Sequence, residues 1–443
     1  MKTPIYDFVN EYANQENIRM HMPGHKGSGN IEKYDITEIS GADSLYEASG
    51  IIKESENNAS LLFGANTFYS AEGSSLSIRA MIHLICLYAK SENKDNVILA
   101  SRNAHKVFIS AAALVGADVE WIRTSAESYL SLSITASDVE DAILKMPKPP
   151  VAVYLTSPDY LGNMLDIKAI SKVCKKHGVL LAIDNAHGAY LKFLNDSLHP
   201  TDLGADICCD SAHKTLPCLT GAAYLHISEN APRILKENAK DSLALFGSTS
   251  PSYLILTSLD KANEYLDSGF KDDISALIKK LNILKQDLAD FGYSLYGNEP
   301  MKITINAKSY GYLGYELSRE LENYGIISEF ADRDYITLMP GVKTTDEELF
   351  KMREAFTSIK KRNAIDEDAP SVTIPRRIMP VRDAVFSPCE TIEVDKATGR
   401  TLAAITVGCP PAVPIIISGE EVDENAVKAF KYYGIETLKV VKQ

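Results

Sequence analysis

Between about residue 58 and residue 228 the chain alternates short, unbroken apolar runs with longer segments of helical periodicity. The runs are Val97–Ala100, Val119–Ile122, Val151–Thr156, Val179–Ile183, Ile207–Cys209 and Ala222–Ile227. A strand with one face in water alternates polar and apolar residues. A run without polar interruption suits a strand buried on both faces, as in parallel sheets covered by helices. Between the runs, Ser74–Tyr88, His105–Val115, Ala136–Met146 and Ile167–His177 repeat apolar residues at helical spacing. The pattern predicts an α/β fold with a mostly parallel central sheet in a large domain.

The rest of the chain is organised around that region. Residues 1–45 read as an irregular N-terminal arm containing MPGHKGSG at 22–29, and residues 46–290 as the large domain. Residues 291–364 mix a strand (Lys302–Asn306), a helix (Tyr312–Tyr324) and a strand (Tyr335–Met339), which predicts a small α+β domain. The polar segment IDEDAP at 365–370 is the linker candidate, and 365–443 would form a compact C-terminal domain rich in proline, with CPPAVP at 409–414.

Composition narrows the function classes. The formal charge is -13, and the phosphate backbone of nucleic acid needs clustered positive charge, so no nucleic-acid partner is expected. No stretch of about 18 apolar residues occurs, and the N-terminus lacks the apolar run of a signal peptide, so the expectation is a cytoplasmic protein without a membrane partner. None of the seven cysteines forms a C-x-x-C pair. His21 and His25 are four apart, but Pro23-Gly24 between them opposes a shared helix face, so no metal site is expected.

The residues that carry chemistry gather at the ends of the apolar runs. SAHKTLP, Ser211 to Pro217, follows one run and contains Lys214; Asp184 ends the preceding run, VLLAID. In open α/β sheets the carboxyl edge of the strands is where ligands bind. An imine-forming lysine and an acid opposite a pyridinium nitrogen are the groups that pyridoxal 5'-phosphate requires. Gly73, Ser74 and Ser75 open a predicted helix, whose free N–H groups favour an anion such as phosphate. His105 begins the helix after Val97–Ala100, where its ring can stack on a cofactor or merely cap the helix. Ser211 and His213 flank Lys214 and are candidates for hydrogen bonds to phosphate.

Five motifs in one order, MPGHKG, RNAHK, DNAHGA, SAHKT, and GR followed by CPPAVPIIISGE, carry a resemblance across nearly the whole chain. The chain resembles the ornithine/lysine/arginine decarboxylase family of the aspartate-aminotransferase-like fold, in its short form. The resemblance implies that Lys214 carries pyridoxal phosphate, Asp184 pairs with the pyridine nitrogen, His105 stacks on one ring face and Ala186 packs on the other. It implies further that Ser74, Ser75, Ser211 and His213 hold the phosphate, and that His187 lies close to the cofactor. His213 counts among the catalytic residues, and Lys214, or a neighbouring His, would release the amine product. A basic amino acid, arginine or lysine ahead of ornithine, is the implied substrate. A homodimer or larger homo-oligomer, with the active site at the interface, is the implied assembly.

The chain departs from the family pattern at several positions. Asn185 stands where the family usually has Glu in Asp-Glu-Ala-His, and Glu72-Gly73-Ser74 where Asn-Gly-Thr is common. Ala42-Asp43-Ser44-Leu45-Tyr46 replaces Leu-Asp-Asp-Leu-His, and Cys-Pro-Pro-Ala-Val-Pro replaces Tyr-Pro-Pro-Gly-Ile-Pro. Two alternatives therefore stand beside decarboxylation. One is another reaction on the same cofactor, an aminotransferase or lyase, for which Arg319 or Arg333 would bind the substrate carboxylate. The other is a non-catalytic regulatory paralogue. Asp184-Asn185-Ala186-His187 also superficially matches a helicase box, but the chain has no G-x-x-x-x-G-K-[ST] loop to hold a nucleotide.

Overall fold

The computed structural model describes residues 1–123, 128–371, 373–404 and 411–443. The chain divides into two compact units: Met1–Asn96, Pro149–Leu155 and Ile167–Ser275 form one, Val97–Lys148, Thr156–Asp166 and Ala276–Gln443 the other.

In the first unit the strands lie in the order Asn66–Ser70, Ala223–Ile227, Ile207–Asp210, Leu180–Asp184, Ala152–Thr156. Leu180–Asp184 and Ile207–Asp210 run parallel with Asp184 opposite Cys209. Ala223–Ile227 runs antiparallel to both its neighbours. Every residue of Leu180–Asp184, Ile207–Asp210 and Ala223–Ile227 is buried, the two-sided burial that the apolar runs predict. The α/β class with a mostly parallel central sheet is what the structure shows. The helices Gly73–Ser91 and Ile167–Lys176 lie where the periodicity predicts them.

Two parts of this unit differ from expectation. The N-terminal arm is not wholly irregular: Pro4–Ala13 is a helix with Ile5 and Val9 buried. Its first turn is tied down by a remote acid, since the Ile5 and Tyr6 N–H groups donate to Asp260 Oδ2, each at 2.9 Å. A helix start whose donors are met by a distant side chain carries little local signal. The strand Asn66–Ser70, sequence NTFYS, lies outside the apolar runs because Asn66, Thr67 and Ser70 interrupt the pattern, their side chains being met by hydrogen bonds.

In the second unit Val97–Ala100 and Asp118–Trp121 form a parallel pair. An antiparallel sheet follows the order Phe330–Ala331, Tyr335–Leu338, Ile303–Asn306, Ser294–Tyr296, and the helix Gly314–Glu322 packs on it. A further sheet orders Cys389–Glu393, Thr437–Val441 and Leu402–Ala404. Its core gathers Leu402, Ile415, Ile416, Phe430, Leu438 and Val440. Within CPPAVP, Cys409 and Pro410 lie outside the described residues, whereas residues 411–420 are buried throughout. Residues 361–371 carry neither helix nor strand. Among the described residues no helix is long and apolar enough to cross a membrane, and the six described cysteines are free thiols.

Candidate active site

The carboxyl ends of two neighbouring strands of the first unit present the lysine and the acid. Lys214 sits in the short helix Ala212–Thr215, just beyond Ile207–Asp210, and its Nζ lies 2.9 Å from His187 Nε2. An ammonium can only donate, so a charged Lys214 requires an unprotonated Nε2 on His187. Asp184 ends its strand and is 2 % exposed. The Tyr154 hydroxyl donates to its Oδ2 at 3.2 Å, and the Ala186 N–H to its Oδ1 at 3.2 Å. The Cys209 thiol donates to Oδ1 at 3.7 Å. Burial pushes the Asp184 carboxyl above its ordinary range, while the Lys214 charge and these donors pull it back down. A cation brought against it, such as a protonated pyridine nitrogen, would favour the ionised form.

The serines form the second part of the site. The helix Gly73–Ser91 starts at Gly73, whose φ of +71° suits glycine and whose N–H donates to Gly221 O at 2.7 Å. Ser74 and Ser75 occupy its first turn, and Ser211 Oγ donates to Ser74 Oγ at 2.7 Å. The residue before the helix, Glu72, makes no capping bond to it; its carboxylate accepts the Ser248 N–H at 2.6 Å instead. The first-turn N–H groups thus carry no acidic cap of their own. A buried acid, a lysine and hydroxyls at a helix start fit pyridoxal phosphate by the chemistry of the donor set.

The remaining predicted residues fall as follows. Ala186 and His187 are the middle residues of a turn in which Gly188 N–H donates to Asn185 O at 2.8 Å. His213 Nδ1 lies 2.8 Å from the Ala222 carbonyl and donates to it. His105, in the second unit, precedes the helix Lys106–Val115, and its Nδ1 accepts the Val107 N–H at 3.2 Å. The capping role is therefore present at His105. Lys106 N–H also donates to Ala412 O at 2.8 Å, which ties this loop to the C-terminal segment. Thus Lys214, His187 and Asp184 come together in the first unit, as do Ser74 and Ser211.

Sequence reasoning missed Tyr154 and Cys209 as donors to Asp184, and it missed Asp210. The last of these carried a signal: Asp210 closes the apolar run ICCD, a charge where the pattern asks for none. Among the described residues one set of possible metal ligands, His199, Cys208 and Asp210, comes within 4.8 Å. All three are fully buried, and burial pushes the Cys208 thiol well up, away from the thiolate a metal would need. Asp210 is already hydrogen-bonded to His199.

Residues 3–314 match the model for the Orn/Lys/Arg decarboxylase major domain, and residues 372–439 the model for the Orn/Lys/Arg decarboxylase C-terminal domain. The chain is similar to an uncharacterised protein, YaaO, and to an arginine decarboxylase, both of Bacillus subtilis. Each is 28% identical, with 97% of this chain and 93% of the relative covered. The solved structure of the constitutive lysine decarboxylase of E. coli superposes with a TM-score of 0.79. It is 17% identical, with 100% of this chain and 82% of that one covered.

Proposed function

The chain belongs to the Orn/Lys/Arg decarboxylase family, and from that premise we propose that it decarboxylates a basic amino acid, arginine or lysine ahead of ornithine, to the corresponding amine, using pyridoxal 5'-phosphate on Lys214. The observation that carries this reading is the pairing of Lys214 with His187 at 2.9 Å beside the buried Asp184. When bound, pyridoxal phosphate supplies an electron sink for the pair released as carbon dioxide leaves the α-carbon.

The chain's own residues do the rest. Asp184, pushed toward protonation by burial, would face the ring nitrogen as a carboxylate and would hold a proton there. Ser74, Ser75, Ser211 and His213, with the first-turn N–H groups of Gly73–Ser91, would hold the phosphate. Ala186 would pack on one ring face; His105 is assigned the other on the resemblance alone. The contact between Lys214 Nζ and His187 Nε2 offers a route for a proton to the α-carbon. The orientation in which the site holds the substrate's carboxylate would select decarboxylation over transamination. The same reading includes a homo-oligomer, with a dimer as its unit, and a cytoplasmic location, which suits the six described free thiols.

An aminotransferase would need an arginine for the substrate carboxylate. Of the two candidates, Arg333 is paired with Glu367 at 2.9 Å, while Arg319 lies over Tyr315, 5.9 Å from the ring centre, so that alternative rests on Arg319. The test is to incubate the cofactor-loaded protein separately with arginine, lysine and ornithine, measuring carbon dioxide and amine, with Lys214→Ala as control. Release from one substrate, lost in the variant, is expected. A keto-acid product, or no release while cofactor stays bound, would overturn the decarboxylase reading.

A further inference from the structure

A fully buried carboxylate lies directly behind the lysine loop. Asp210 is the last residue of its strand and the neighbour of Ser211, and none of its surface is exposed. Its Oδ2 accepts from His199 Nε2 at 3.1 Å and from His226 Nε2 at 3.2 Å. Its Oδ1 accepts the Asn185 Nδ2 amide at 2.7 Å. Burial alone would push this carboxyl up, but the two imidazoles hold it well below the usual carboxylate range. A carboxylate in that state offers acceptors only, so Asn185 must turn its amide nitrogen toward it.

That orientation has consequences for the turn. The Asn185 amide oxygen faces Gly188, where an added Cβ would lie 2.0 Å away. The Asn185 backbone is held as well, its N–H donating to Cys209 O at 3.0 Å and its carbonyl accepting from Gly188. Asn185 is therefore pinned at both main chain and side chain to the strand that leads into Lys214. The turn it opens presents Ala186 and brings His187 to Lys214.

We propose that Asn185 and Asp210 are positioning residues, a buried hydrogen-bonded clasp that sets the His187 turn against the Lys214 loop. This rests on the reading of Lys214 as the cofactor-bearing residue. Replacing Asn185 by an acid would set acceptor against acceptor, which no rotation relieves; replacing Asp210 by asparagine is met only if the Asn185 amide turns over and sets its nitrogen, in place of its oxygen, against the Gly188 turn. Making both changes reverses the polarity of the clasp: the new amide at 210 donates to the new carboxylate at 185 and still accepts from both imidazoles.

The test uses Asn185→Asp, Asp210→Asn and the double variant as full-length protein stripped of cofactor. Pyridoxal phosphate is added, the mixture is reduced with borohydride at timed intervals, and modified Lys214 is quantified by mass spectrometry beside the melting temperature. Asn185→Asp is expected to slow trapping at Lys214 by roughly tenfold or more, the scale of one buried unmatched group, and Asp210→Asn by less, since the Asn185 amide can turn over to meet it. The double variant should recover to within about threefold of the parent, the spread of such effects between contexts. A folded Asn185→Asp variant that traps at the parental rate would overturn the clasp. So would a double variant that melts like the parent yet traps tenfold slower, and this decides the matter if a single variant does not fold. Parent protein trapped elsewhere than at Lys214 would instead overturn the proposed function.

Discussion

Asp184 is held between opposing forces: burial favours its neutral form, and Lys214, Ala186, Tyr154 and Cys209 favour the charged one. The balance makes the residue sensitive to what is set against it. Asp184→Asn keeps the shape but removes the charge. It is expected to leave trapping of cofactor at Lys214 intact and to lower carbon dioxide release by about a hundredfold or more, the scale for loss of one preorganised electrostatic group. Tyr154→Phe removes only one donor and should cost about tenfold or less in the same assay. The departure at Glu72 has a local account, for its carboxylate accepts the Ser248 N–H. Burial, then the Glu72 charge, pushes the Tyr46 hydroxyl up to about 12. Neither change touches the Lys214 and Asp184 pair.

Elements of the second unit are joined by a clamp that the motifs RNAHK and CPPAVPIIISGE carry between them. Arg102 reaches Glu420 with two bonds, Nη1 to Oε1 at 2.8 Å and Nη2 to Oε2 at 3.0 Å. Glu420, 2 % exposed, also accepts the Ile417 N–H at 2.9 Å. The guanidinium stacks over Trp121, 4.9 Å from the ring centre. With the Lys106 to Ala412 bond, this fixes the loop bearing His105 to the segment 411–421. Arg102→Met would strand a buried carboxylate, and a loss of about 3–5 kcal/mol in urea unfolding is expected. Arg102→Met with Glu420→Leu should recover most of that loss, because no charge is then left unpaired. Both motifs were legible as motifs; their joining by an ion pair between residues 318 positions apart was not.

Across the whole molecule, buried acids set the pH response. Burial raises Asp159, in the second unit, and Asp260, in the first, each to about 6 against the ordinary 3.8. The folded form therefore takes up protons near pH 6, where the unfolded chain does not, and the stability these groups contribute is lost as pH rises through 6. His83 and His226, lowered by burial, act in the opposite sense near 6.5. Comparison with Asp159→Asn and Asp260→Asn isolates the carboxyls. From pH 7.5 to 5.5 the parent should gain stability relative to each variant, by roughly 1 kcal/mol, read from melting curves. Parallel curves would refute the assignment. By itself, the sequence determined the α/β class, the placement of the buried strands and the position of Lys214 and Asp184 at strand ends. These follow from periodicity and from a charge that ends an apolar run, both of which are local. Only the tertiary structure decided that Asp260 holds the Pro4–Ala13 helix, that Asn66–Ser70 is a strand, and that Tyr154 and Cys209 serve Asp184. It alone brought His199, His226 and Asn185 onto Asp210. In each of these cases the partner of a buried polar group is chosen by which distant segments the packed core brings within about 3 Å, and no local pattern encodes that choice.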